Sequence, residues 1–590
     1  MPRFFRRATD ARFTFSGWLG ERIHANEENW LLVAPEANPA MLQIFRDRDR
    51  LPVRDLVPWA GEFAGKYLTS GGQCYRLTRN DELRDYLAWF VRELIATQAD
   101  DGYLGAFPRA YRLTGRTIRP DGTEAATWDA WNHYHCLLGL LFWYEETGDE
   151  EALAACCRAA DLLCRLFLDT DTRLVSTGSE EMNLAPIHVL CLLYERTGVE
   201  RYLRLAREIE RDFETPPAGD YIRTALAGLP FFETPKPRWE SLHDIQGVAE
   251  LALITGDARY QHAYQQIWRS IQQGDRHNTG GFSSGEKATG NPYDPGAIET
   301  CCTIAWIALS IDLLRLTGDS QVADEIELST YNALLGAQSP TGRWWTYNTP
   351  MDGERRASAH DIVFQARAGS PELNCCSVNG PRGLGMLSDW AVMRSTDGVI
   401  VLNYYGPSHL TLDLPEGNAV TLIQETDYPT SGEILLSVEL ARPQHFSLRL
   451  RIPSWSARTA LAVNDDQIDG VEPGRYAEIS RTWQSGDTVR LSLDFSPRFW
   501  IGEREAAGKA SLYRGPLLLA YDPRFNQIDP ADLPPLDLSR VSFEDLSPIG
   551  YPPPYLLTRV PTRQGELVLC DFASAGAAGN PYMTWLPVKA

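Results

Sequence analysis

No stretch of the chain approaches the roughly 18 consecutive apolar residues of a membrane span, so no membrane helix is expected. The first segment, MPRFFRRATDARFTFSGW, is basic but lacks the apolar core of a secretory signal. Basic runs are nearly absent: only Arg6-Arg7 and Arg355-Arg356 stand out, and 56 Lys and Arg face 78 Asp and Glu for a net charge of −22. Phosphate backbones need clustered cations, which excludes nucleic acid as an expected partner. Eleven cysteines, an odd count over 590 residues, do not form a disulfide framework; they fit a reducing cytoplasm with thiols free for metal.

What is present is an ordinary soluble composition, 44% hydrophobic and 23% charged, in a chain too long for one core. From about residue 80 the pattern is helical. RNDELRDYLAWFVRELIATQ (79–98) carries apolar residues at helical spacing behind Asn80, an N-cap residue. Four Thr-Gly junctions, at 147–148, 197–198, 255–256 and 317–318, then each end one helix shortly before another begins. Helical hairpins repeated at this spacing predict a closed α/α toroid, its long return loops gathered on one face. After Trp390 the period becomes two. HLTLDL (409–414), AVTLIQET (419–426), EILLSVEL (433–440) and HFSLRLRIP (445–453) alternate between turns, as in an antiparallel sandwich. The expected domains are an N-terminal segment leading into the barrel (1–75), the helical barrel (76–390), a β-sandwich (391–500) and a smaller C-terminal β region (501–590).

Glu286, Glu299 and two vicinal cysteine pairs fall between 286 and 376, in SSGEKATG (283–290), IETCC (298–302) and ELNCCSVNGPR (372–382). Three thiolates and a carboxylate make a tetrahedral shell suited to zinc. The simpler reading of a single cysteine is core filler, above all for Cys302 in TCCTIAWIALSIDLLRL. Cys375 and Cys376, flanked by Asn374 and the turn-prone Ser377-Val378-Asn379-Gly380-Pro381, read as loop residues. A vicinal disulfide is their other reading and needs an oxidising compartment.

With WAGEFAGKYL, WNHYHCLLGLLFWYEETGD, IETCC, YNTPMDG, ELNCCSVNGPR, ETDYPTSGEI and LRIPSWS, the chain resembles glycoside hydrolase family 127, the β-L-arabinofuranosidase family. The resemblance implies an (α/α)6 catalytic barrel followed by β-sandwich domains. It implies a zinc site of Glu299, Cys301, Cys375 and Cys376, with Cys375 the nucleophile of a retaining exo-glycosidase and Glu286 the acid/base. Tyr347 and His135 match substrate-contacting positions. A further histidine of the family has two counterparts in WESLHDIQGVAE, His243 and Gln246, and the Glu286 loop is shorter than the family's. Without the resemblance, Glu286 reads as a solvated loop charge, His135 as a satisfied helix histidine, and Tyr347 as core packing.

The expected partner is a glycoside or oligosaccharide, with a homodimer as a further option. Two other readings stay open. One is a lyase or epimerase on the same toroid, working without the cysteines; the other is a non-catalytic carbohydrate-binding or scaffold protein in which zinc only staples loops.

Overall fold

The computed structural model describes residues 4–296, 298–357 and 373–589. Among them six helices form a closed inner ring: Glu62–Thr78, Asp129–Thr147, Pro186–Thr197, Ser241–Thr255, Thr300–Thr317 and Cys375–Gly385, each packed on the next and the last on the first. Outer helices Asp81–Ile95, Glu150–Phe167, Glu200–Asp212, Ala258–Gly274 and Ser320–Leu328 follow the first five. The sixth outer place is taken by Gly17–Asn26 and its continuation Glu27–Leu31, from the other end of the barrel sequence. This is the expected (α/α)6 barrel followed by β domains.

The Thr-Gly junctions work as the sequence predicts. Gly148, Gly198, Gly256 and Gly318 hold left-handed φ of 70°, 67°, 69° and 64°, which a side chain would strain. Asp149, Asp257 and Asp319 then cap the following helices by accepting backbone N–H bonds. The first hairpin uses the same turn without glycine: Arg79 sits at φ 55°, and Asn80 accepts from Glu82 and Leu83. The first inner helix therefore starts at Glu62, ahead of residue 76, and the missing glycine hid it. Its Gly65 is needed for packing, since a Cβ there would lie 2.1 Å from the His135 carbonyl carbon.

One apolar helix has a packing reason, and one expectation is corrected. Thr300–Thr317 is long and apolar enough to cross a membrane by length and composition, yet 89% of it is buried inside the protein. Its apolarity serves packing on every side, as an inner helix of a ring requires. Cys375 and Cys376 are not loop residues but open a helix, Cys375–Gly385. Asn374 caps it, its Oδ1 accepting from Cys376 N at 3.0 Å and Ser377 N at 3.4 Å. Pro381 lies inside this helix and lacks the N–H that Ser377 O would accept; Trp30 Nε1 donates to that oxygen instead, at 2.7 Å.

The β region forms three main sheets. A five-stranded sheet (Phe5–Arg7, Val392–Ser395, Ile400–Leu402, Gln444–Ile452, Arg475–Trp483) and a seven-stranded sheet running from Asp466–Gln467 to Arg12–Phe15 hold the predicted sandwich strands. The chain's first strands, Phe5–Arg7 and Arg12–Phe15, join one sheet each. A third sheet is built from residues 498–587. Arg451, fully buried, crosses from the first sheet to the barrel and pairs with Asp324 and Glu327.

Removing one partner of a buried ion pair strands the other charge. Arg451→Met should therefore cost about 3 kcal/mol, read as a lower urea midpoint. An unchanged midpoint would mean that the pair does not hold the sheet to the barrel.

Candidate active site

Glu299 ends a short strand, Ile298–Glu299, paired antiparallel with Asn348–Thr349. Cys301 is the second residue of the helix Thr300–Thr317, and Cys375 and Cys376 are the first two of Cys375–Gly385. These helices are neighbours in the ring, so two positive helix ends, which favour thiolates, meet where three thiols collect. The donor atoms of all four residues lie within 4.8 Å of one another. Cys376 Sγ is 3.6 Å from Cys301 Sγ, 3.9 Å from Cys375 Sγ and 3.4 Å from Glu299 Oε1; Cys375 Sγ is 3.6 Å from the same oxygen.

A tetrahedral ion with bonds of about 2.3 Å to sulfur and about 2.0 Å to oxygen has sulfur–sulfur edges of about 3.8 Å and sulfur–oxygen edges of about 3.5 Å. The four donors match those edges, so they fit a metal ion. Without one they crowd acidic groups. Burial pushes the Glu299 carboxyl well above its usual range, and the Cys301 charge adds to this. Cys375 is pushed up chiefly by its hydrogen bond with Cys301, and Cys376 by burial. Cys301 is held well below an ordinary thiol: burial opposes this, but bonds from Cys375 and Cys376 and the Lys66 charge prevail. Cys302 lies outside the four, its Sγ 3.7 Å from Glu299 Oε2.

Glu286 stands on the loop between Ala258–Gly274 and Ile298. Gly285 and Glu286 both take left-handed φ, 55° and 69°; the glutamate's is an uncommon conformation of the kind found at functional sites. Bridges from Lys287 to Arg238 and from Ser284 to Ile298 pin the loop on both sides. Tyr347 Oη donates to Glu286 Oε1 at 2.7 Å, and Arg238 Nη2 donates to Oε2 at 2.9 Å. Arg238 also bonds Glu240 at 2.7 Å; burial, against that pairing, raises the Glu240 carboxyl to about 7. Tyr347 is itself fixed beside the thiols, since Thr300 N donates to its carbonyl at 2.8 Å and Cys376 Sγ lies 3.9 Å from the same oxygen.

Next to this group is an aromatic and imidazole wall. Trp131 packs edge-on against His135 (ring centroids 4.4 Å apart) and His243 (5.1 Å), and the two histidines lie 5.5 Å apart. Both are fully buried, and burial holds both imidazoles well below their usual range. Their Nε2 atoms meet no hydrogen-bond partner among the described residues. Gln246, the alternative to His243, turns away and bonds Asp312 at 2.9 Å. His133 is also turned away, its Nε2 accepting from Leu104 N at 3.0 Å. The structure thus gathers Glu299, Cys301, Cys375 and Cys376, links Glu286 to Tyr347, and sets His135 beside His243.

Sequence reasoning missed Lys66, which lies over the rings of Trp131 and Trp239 at 5.4 and 5.0 Å and pairs with Glu62 at 2.9 Å. Burial opposes its charge, but the Glu62 carboxylate and the Cys301 thiolate hold the ammonium protonated. Arg238 and Glu240 were missed as well. The signal for Lys66 was an ionisable residue amid apolar and small neighbours in EFAGKYL, a helix with no polar face for it.

Comparisons with known proteins follow this geometry. The profile of the beta-L-arabinofuranosidase GH127 catalytic domain matches residues 22–389, and that of the GH127 middle domain matches 399–495. The non-reducing end beta-L-arabinofuranosidase of Bifidobacterium longum subsp. longum is 26% identical over 442 residues, 68% of this chain. The match spans 65% of that relative's own length. A solved GH127 beta-arabinofuranosidase superposes with a TM-score of 0.80 at 20% identity, over 100% of this chain and 98% of that one. The GH127 beta-L-arabinofuranosidase of Geobacillus stearothermophilus T6 gives 0.77 at 20% identity, over 98% and 100%. These two show the shared fold. With its barrel matched almost throughout and its sandwich matched after it, the chain belongs to the GH127 β-L-arabinofuranosidase family.

Proposed function

We propose that this protein is a retaining exo-glycosidase that releases a terminal β-L-arabinofuranose or a related furanose, with Cys375 as nucleophile and Glu286 as acid/base. One observation carries the assignment within the donor set. Cys375 is 8% exposed, whereas Cys301 and Cys376 are 0% and Glu299 1%, so Cys375 is the most accessible of the four donors. Tyr347 joins the two, touching Glu286 through its hydroxyl and the cysteine cluster through its carbonyl.

Zinc held by Glu299, Cys301, Cys375 and Cys376 would supply the positive charge that keeps these thiols deprotonated at neutral pH. The chain's own groups do the rest. Cys375 Sγ attacks the anomeric carbon; a C–S bond forms as the C–O bond breaks, and Glu286 gives its proton to the departing oxygen. Arg238 can only donate to Oε2, so that proton is carried on Oε1, against Tyr347, whose hydroxyl can donate or accept. In the second step Glu286 takes a proton from water, the new C–O bond forms, and the C–S bond breaks to return the thiolate. Two displacements at one carbon retain configuration.

Hydrolysis of p-nitrophenyl β-L-arabinofuranoside tests the reading. Cys375→Ser and Glu286→Gln should each lower kcat about a thousandfold, and proton NMR should show the β-anomer as first product. First appearance of the α-anomer, or undiminished turnover by Cys375→Ser, would sink the thiol mechanism.

Metal content by mass spectrometry provides a second test. Wild type and Glu286→Gln should each carry one zinc per chain, and Cys301→Ala and Cys376→Ala should lose it. Full zinc in both cysteine variants would show that the ion sits elsewhere.

A further inference from the structure

The hydroxyl of Tyr134, buried on the barrel axis, lies 2.8 Å from His243 Nδ1 and 3.0 Å from His188 Nδ1. The three groups come from three successive inner helices, so the chain spans the barrel interior. A phenol has one proton: it donates one of these bonds and accepts the other. Both imidazoles are neutral, because burial lowers His243 well below its usual range and His188 to about 4, while burial raises the phenol. One Nδ1 must therefore carry a hydrogen and the other must be bare. His243 and His188 hold opposite tautomers.

The surroundings decide which is which. His188 lines a cavity of about 320 Å³ at the end of the barrel away from the thiols, shared with Gln246, Glu250, Asp312, Arg315 and Arg382. With Nδ1 turned to Tyr134, the other edge of the His188 ring borders this cavity, where an N–H can be hydrated. That edge is Nε2, which leaves His188 Nδ1 bare to accept from Tyr134. Tyr134 in turn accepts from His243 Nδ1–H, so His243 Nε2 has a free lone pair. His243 Nε2 is buried with no partner among the described residues, a place where an unpaired lone pair is tolerated better than an unpaired N–H.

We propose that Tyr134 and His188 are a positioning pair that fixes the tautomer of His243, presenting its Nε2 at the sugar-binding wall as a hydrogen-bond acceptor. The chemical consequence is selective: this nitrogen takes a hydroxyl of the substrate as donor and refuses a ring oxygen or other acceptor. The part played by the sugar rests on the glycosidase reading above; the tautomer does not.

Long-range ¹H–¹⁵N NMR of the zinc-loaded protein with ¹⁵N-histidine tests this, with His243→Gln used to assign the signals. His243 should show a protonated Nδ1 and a bare Nε2, and His188 the reverse. In Tyr134→Phe the His243 signals should move toward a mixture of tautomers, and KM for p-nitrophenyl β-L-arabinofuranoside should rise about tenfold with a smaller change in kcat. His188→Leu, which leaves the phenol without its acceptor and frees its proton for His243 Nδ1, should produce the same spectral shift should the phenylalanine variant fail to fold. A protonated Nε2 on His243 in an active enzyme would overturn the relay and leave the glycosidase standing. The expected tautomer in a chain inert toward arabinofuranosides would sink the glycosidase and leave the relay. His243 signals unmoved in both variants would overturn the relay.

Discussion

The structure depends on bringing three thiols and a carboxylate into a space about one ion wide. Such a cluster of acidic groups cannot be buried unless cations answer it. The protein meets this with ring closure: the fifth and sixth inner helices start side by side, so Cys301 and the Cys375–Cys376 pair arrive at one point with their positive helix ends. Closure in turn depends on a segment that is a poor helix by composition. CCSVNGPRGLG is helical because Asn374 caps it and because partners from elsewhere take up its loose carbonyls. Trp30 takes Ser377 O, and Ser70 donates to Val378 O at 2.6 Å.

Around that point the protein separates charged from neutral polar groups. Lys66 stays charged because Glu62 shares its burial, and Arg238 is divided between Glu240 and Glu286. These charges stand with the thiols and Glu286. His135 and His243, held neutral by burial, form the other wall with Trp131. The division suits a furanosidase, in which charge develops at the anomeric centre while the remaining hydroxyls need only neutral hydrogen bonds.

Much of this was legible in the sequence, and the exceptions have physical causes. The Thr-Gly-Asp turns marked hairpins because a left-handed residue and an N-cap leave a composition signal; Arg79 takes the same conformation without one, so the first inner helix stayed hidden. Cys375 read as a loop because its helix is stabilised by Trp30 and Ser70, more than 300 positions away, and local propensity cannot register that. The clustered Glu299, Cys301, Cys375 and Cys376 could be found because vicinal cysteines are rare. Lys66 left only the weak signal of a charge among apolar and small neighbours, since its partners Glu62, Trp131 and Trp239 meet only when the ring closes. The strand Arg475–Trp483 was missed because much of it is exposed, which blurs the alternation.

The β region bears on the site through the loops it supports. Glu286 and Tyr347 stand on long connections with almost no regular structure among the described residues, and such loops hold a fixed geometry only if something rigid fixes them. The third sheet and the segment that follows its strands do so. Asn278, upstream of Glu286, donates to Ser511 at 2.7 Å and to Thr584 at 2.8 Å, and Tyr513 donates to its carbonyl at 2.7 Å. Beyond Tyr347, Asp352 accepts from Thr584 N at 2.6 Å and Trp585 N at 3.1 Å, and Pro350 O accepts from Tyr582. Thr584 thus contacts both loops. The C-terminal residues thereby tie the Glu286 loop to the Tyr347 loop through Thr584.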